Sequence, residues 1–206
     1  MRRAAFALLL VAASAEARRP RPPEPPPKPD DFVDITRVIP DAVIDMRYAT
    51  ADNFTGDVLY PIARCKLRRT VAERLAVAAK ALREQHRRLL IWDCYRPLAI
   101  QRALWAKVHD PKYVADPKFG SKHNHGAAVD VGLVAEDGSP VPLPTKFDEF
   151  SIAAHRDHAL ASGHGAAEGR RLEKAMTDAG FVGLSTEWWH FDAPDWAHFP
   201  LSDEPL

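Results

Sequence analysis

Cysteine is scarce: Cys65 and Cys94 are the two in 206 residues. That excludes a disulfide-dense miniature scaffold and makes an ordinary apolar core the source of stability. An excess of one charge is missing too, since 28 Lys and Arg balance 28 Asp and Glu. No basic field argues for nucleic acid, and no polybasic segment argues for an anionic membrane surface. Long hydrophobic runs are absent. The apolar stretch Phe6 to Ala13 is too short to span a bilayer as a stable helix. No internal repeat is visible. What is present is a 46% hydrophobic fraction, ordinary for a soluble globular protein and sufficient for one domain plus extra segments.

The first residues follow the order of an export signal. Arg2 and Arg3 precede the Phe6–Ala13 run, and Ala13-Ser14-Ala15 or Ala15-Glu16-Ala17 offers a small-residue cleavage site. We therefore expect a signal peptide over 1–17 and an exported, periplasmic protein. No cysteine stands near the cleavage point, so no lipid anchor is expected. Residues 18–31, RRPRPPEPPPKPDD, form neither helix nor central strand, because proline fixes φ and lacks a donor. This reads as a stiff linker, with a folded domain over 32–206. In an oxidising compartment Cys65 and Cys94 are expected to pair, the alternative being two separate buried thiols.

Arg68 to His86 predicts a helix, with Val71, Leu75 and Leu82 at helical spacing and charges opposite. Leu89 to Trp92 predicts a buried strand. Pro97 suits a helix start, and the helix is expected to run to about His109. Ala127 to Val134 predicts a strand with Val129, Val131 and Leu133 on one face. Its other face, Ala128, Asp130 and Gly132, is small and carries one carboxylate, which suits a cleft floor. Ala166 to Ala179 predicts a helix stopped by Gly180. Phe181 to Leu184 and Trp188 to Phe191 predict strands. With no regular βαβ alternation, the fold class is α+β, a mainly antiparallel sheet with packed helices.

Three segments carry chemistry. In Ser121 to Asp130, Gly126 permits a turn that brings His123 back toward Asp130. A nitrogen and a carboxylate oxygen suit zinc at about 2.0–2.2 Å, although such a pair also makes loop hydrogen bonds. In Glu187-Trp188-Trp189-His190, the glutamate suits a general base and the histidine a third ligand. Residues i and i+3 of a regular strand face opposite ways, so Glu187 must precede the strand or sit at a bulge. The alternative is a surface glutamate and a packed histidine. In Tyr95-Arg96-Pro97, Arg96 is placed to meet developing negative charge or to pair with Asp93.

Together, and in this order, the segments resemble the D-alanyl-D-alanine dipeptidases, the VanX-like zinc peptidases related to D,D-carboxypeptidases and to the hedgehog N-terminal domain. The resemblance runs from about Val33 to Asp192. It rests on SxHxxGxAxD at 121–130, EWWH at 187–190, YRP at 95–97 and the stretch Tyr48 to Gly56, YATADNFTG. It implies a hedgehog/D,D-peptidase-like fold and one zinc ion per chain on His123, Asp130 and His190. It implies Glu187 as general acid/base and Arg96 as the stabiliser of the tetrahedral intermediate. Ser121 is then expected near the substrate carboxylate, Asp148 at its free amine, and Tyr48 beside it. The implied partner is a small dipeptide. A D,D-carboxypeptidase acting on stem peptides is one rival, and a zinc-stabilised module without catalysis is another. Histidine at 125, where many relatives carry arginine, is a departure that adds a competing ligand or lines the entrance.

Overall fold

The computed structural model describes Lys28 and residues 30–206. The expected signal peptide lies outside the described residues, as does the expected linker apart from Lys28, Asp30 and Asp31. Strand β1 (Phe32–Asp34) pairs antiparallel with β3 (Lys66–Arg68) in a small sheet. The main sheet has the order β2 (Val43–Ile44), β4 (Arg87–Asp93), β5 (Ala128–Ala135), β7 (His190–Asp192), β6 (Val182–Gly183). Among the described residues only β2 and β4 run parallel, so the α+β, mainly antiparallel expectation holds.

Helix α1 (Arg69–Arg83) buries Val71, Leu75, Ala78 and Leu82, the stripe its spacing implied. It packs on β4 and on α4 (Ala166–Asp178), which in turn packs on β5. The expected helix to His86 stops earlier, because Gln85 and His86 close a turn and His86 takes φ 56°. Helix α2 (Leu98–Lys107) likewise ends short of His109, where Val108 turns extended. The short α3 (Arg156–Ala159) precedes α4. Among the described residues no helix is long and apolar enough to cross a membrane.

Two features of the sheet position the site. A register shift between Ile91 and Asp93 re-aims the end of β4. Beyond it, Asp93 lies opposite Asp130, and Asp130 lies opposite His190. Three chemically active side chains thus form one row across three strands. The face of β5 expected as a cleft floor is one only at Asp130. At Gly132 the Trp92 indole lies so close that an added Cβ would meet its Cη2 at 2.5 Å.

Cys65 and Cys94 are bonded, joining the residue before β3 to the end of β4 across 29 positions. Closing a loop of that size restricts the unfolded chain, with a stabilisation of about 3–4 kcal/mol. Replacing both cysteines by alanine is expected to remove that amount in a urea titration. An unchanged midpoint would contradict it. The last residues also act structurally. The Ser202 amide donates to Asn124 O at 2.9 Å, and Asp203 Oδ1 accepts the Ala99 amide at 2.6 Å as a remote cap for α2.

Candidate metal centre and reaction cavity

His123 sits on the 3-10 turn Lys122–His125. Ser121 Oγ accepts the His123 amide at 3.3 Å, and Asn124 Oδ1 accepts the Ser121 amide at 2.7 Å. Gly126 closes the turn at φ 70°, against the Phe32 ring, so the turn read from the glycine is present. Asn124 Nδ2 donates to Arg96 O at 2.7 Å, and the Arg96 amide donates to His123 O at 3.1 Å. These bonds stitch the His123 turn to the Tyr95–Pro97 segment.

His190 opens β7. Its Nδ1 is 2.9 Å from Asp130 Oδ1 and 3.2 Å from His123 Nε2, which lies 3.4 Å from Asp130 Oδ2. All three residues are buried, with exposures of 2%, 3% and 7% for His123, Asp130 and His190. They are the group of three that can hold a metal ion among the described residues.

The outer nitrogens decide what converges here. His123 Nδ1 lies 2.7 Å from the Cys94 carbonyl, and His190 Nε2 lies 2.9 Å from Asp192 Oδ1. Both partners only accept, so both outer nitrogens carry hydrogen. With neutral rings, two lone pairs and a carboxylate then face one another with nothing to receive them. A cation among them would relieve that arrangement, and the three residues could hold one. Without metal, a proton serves: burial opposes charge on His190, yet Asp130 and Asp192 push its pKa up to about 10. Burial likewise opposes ionisation of Asp130, but the two imidazoles hold its carboxyl far below the usual range. A divalent metal displaces such a proton. Two nitrogens and one carboxylate match three-ligand sites that leave a coordination position open.

Asp192 orients His190 from behind, and Lys122 Nζ holds the other Asp192 oxygen at 2.6 Å. Carboxylates in this position tune a ligating histidine. Asp192→Asn is expected to weaken metal affinity about 10–100-fold, measured by chelator competition. Unchanged affinity would exclude the role.

Glu187 lies in a turn before β7, with its Oε2 3.8 Å from His190 Nδ1. The Trp188–Phe191 strand expected from sequence is therefore shortened to His190–Asp192, and the turn brings positions i and i+3 to one side. Burial pushes the Glu187 carboxyl above its ordinary range, against the pull of a charged His190. Arg96 pairs with Asp93, one of its two sequence readings. Its Nε and Nη2 donate to Asp93 Oδ2 at 3.0 and 2.5 Å, its Nη1 donates to Gln101 Oε1 at 2.8 Å, and it still borders the cavity. Asp93 Oδ1 accepts Tyr60 Oη at 2.6 Å and the Cys94 amide at 2.9 Å.

Tyr48 donates its hydroxyl to Asp148 Oδ2 at 2.8 Å and lays its ring 5.2 Å from the Arg96 guanidinium. Asp148 adopts φ 56°, uncommon for a residue with a side chain. Burial and the charge of Asp130 push its carboxyl well above the ordinary range, and an arriving ammonium would reverse that. Tyr48, Arg96, Ser121, Asp148 and Glu187 line one cavity with the three clustered residues. Its volume is about 150 Å³, below the roughly 300 Å³ where drug-sized sites begin. The cavity is of a size for a small molecule.

His125 does not join the cluster. Its Nδ1 lies 2.5 Å from Phe199 O, and its ring packs on Trp196. His158 and His164 are exposed. Sequence reasoning missed Asp192, although a position two beyond His190 on a strand shares its face. It also missed Gln101 and Tyr60, whose roles exist only through contacts between distant segments.

Comparison with known proteins converges on the same chemistry. The family profile described as D-ala-D-ala dipeptidase matches residues 28–204. The chain is 37% identical over 171 residues to the D-alanyl-D-alanine dipeptidase of Escherichia coli (strain K12), covering 83% of this chain and 89% of that protein. It is 31% identical to the D-alanyl-D-alanine dipeptidase of Enterococcus faecium, over 78% and 86% of the two chains. With the Streptomyces coelicolor D-alanyl-D-alanine dipeptidase it shares 28% over 82% and 94%. A match over nearly all the described residues, on a chain that gathers two imidazoles and a carboxylate beside a partly buried glutamate, places this protein in the D-ala-D-ala dipeptidase family of peptidases.

Proposed function

We propose that the protein is a zinc-dependent dipeptidase that hydrolyses D-Ala-D-Ala, or a closely related dipeptide, in cell-wall peptide turnover. The observation that carries this reading is the convergence of His123 Nε2, His190 Nδ1 and the Asp130 carboxylate beside Glu187 in a cavity of dipeptide scale. His123, Asp130 and His190 would hold the zinc, which supplies Lewis acidity for a carbonyl and acidifies a water. Asp148, oriented by Tyr48, receives the substrate ammonium. Ser121 receives the carboxylate end. Glu187 takes a proton from the attacking water and returns it to the leaving amine. Arg96, held by Asp93 and Gln101, faces the negative charge that grows on the carbonyl oxygen.

Export is part of the proposal, with a signal over 1–17, a linker over 18–31 and the enzyme domain over 32–206. A buried disulfide between Cys65 and Cys94 supports an oxidising compartment. The decisive experiment assays purified protein, with and without zinc, on D-Ala-D-Ala, L-Ala-L-Ala and an N-blocked analogue. Zinc-dependent cleavage of the free D,D-dipeptide, with the blocked analogue spared, is expected. Preference for the blocked or longer peptide would overturn the dipeptidase reading in favour of a carboxypeptidase.

A further inference from the structure

Arg156 opens α3 and has no part in the chemistry above. Its guanidinium lies against the turn that carries Glu187 and His190. Nε donates to Leu184 O at 3.1 Å, and Nη2 donates to Glu187 O at 3.0 Å and His190 O at 2.9 Å. Nη1 pairs with Glu173 of α4. The guanidinium also lies 4.5 Å from the centre of the Phe191 ring. One partly buried side chain thus gathers the carbonyls at the start, middle and end of a single turn.

The turn holds itself poorly. The Glu187 amide reaches Leu184 O at 3.3 Å, the His190 amide reaches Glu187 O at 3.4 Å, and the Leu184 amide reaches His190 O at 3.2 Å. All three are at or beyond the long end of the usual N–H···O range. The Arg156 bonds are shorter, and their donor is charged, which strengthens each one. Strand β6 makes room for this arrangement. An added Cβ at Gly183 would meet the Arg156 Cζ at 2.3 Å. A guanidinium free in solvent would swing aside, but this one is pinned by three carbonyls and a carboxylate.

We infer that Arg156 is a positioning residue for the reaction, with Glu173 as its anchor on α4 and the Leu184–His190 turn as the element it holds. The inference rests on the reading of Glu187 as general base. Lysine cannot replace it, because one ammonium lacks the fork that spans separated acceptors. A misplacement of about 1 Å can cost a hundredfold in rate.

The test compares Arg156→Lys, Gly183→Ala and Glu173→Gln with Glu187→Gln and with the Arg156→Lys/Glu187→Gln double variant. The full chain is used throughout, and kcat, KM and hydrogen exchange are measured well below the melting temperature. Arg156→Lys is expected to lower kcat about 10–100-fold with KM little changed. Faster amide exchange should be confined to the 184–190 segment in the metal-free protein. Gly183→Ala should change both readouts in the same direction, and it carries the test if Arg156→Lys does not fold. The double variant should be no slower than Glu187→Gln, because residues acting through one group are not additive. Wild-type kcat in Arg156→Lys, or a lowered melting temperature with unchanged kcat, would overturn the inference. So would a double variant slowed by the full additional factor. Full activity in Glu187→Gln would overturn the general-base reading and with it the coupling. Localised exchange in Arg156→Lys alongside an active Glu187→Gln would show that the reading of Glu187, not the clasp on the turn, had failed.

Discussion

Glu187→Gln is expected to lower kcat by about a hundredfold to ten-thousandfold while the protein keeps its metal. The substitution preserves shape and removes only the ability to accept a proton. Glu187 lies outside the group of three that can hold a metal, so the metal-binding atoms are untouched. Burial raises its carboxyl above the ordinary range, and a charged His190 opposes that rise. Steady-state kinetics with metal analysis of the same sample checks the claim. Wild-type turnover in a fully metal-loaded variant would remove Glu187 from the mechanism. Loss of both metal and turnover would make it a ligand instead.

How much of this was legible in the residues depends on the range of the interactions involved. Helix α1 could be read because its apolar stripe is periodic within one segment. The Gly126 turn could be read because a glycine at φ 70° is a local requirement. The candidate metal group could be nominated because its segments together resemble a known zinc peptidase family; the His123–Asp130 spacing alone also suits a loop hydrogen bond. Their convergence could not be read, because it depends on strand register: Asp130 lies opposite His190 only in the observed pairing of β5 with β7. The Glu187–His190 turn illustrates the same limit. Strand geometry forbade the two side chains from sharing a face, and Trp188, Trp189 and Phe191 suggested a longer strand. The resolution came from Arg156, whose contacts cross some thirty positions of sequence. Asp93 was visible beside Arg96, but Tyr60 and Gln101 reach that pair only in the folded chain.

The Asp93–Arg96 pair gives the second large effect, and it separates architecture from catalysis. Asp93 is fully buried, with Arg96 on one oxygen and Tyr60 and the Cys94 amide on the other. Arg96→Met leaves that carboxylate without its counter-charge. Breaking one side of a buried pair costs about 3–5 kcal/mol, which should appear as a lower urea midpoint. Removing a donor aimed at developing oxyanion charge costs about a hundredfold to a thousandfold in kcat. One variant should therefore show both losses. Asp93→Asn/Arg96→Met distinguishes them, because a neutral amide still accepts from Tyr60 and the Cys94 amide and needs no cation. That double variant is expected to recover much of the stability and none of the rate. If stability and rate returned together, Arg96 would be a brace for the end of β4, with no direct part in stabilising the transition state. If neither changed in Arg96→Met, the buried pair would carry no weight in fold or reaction.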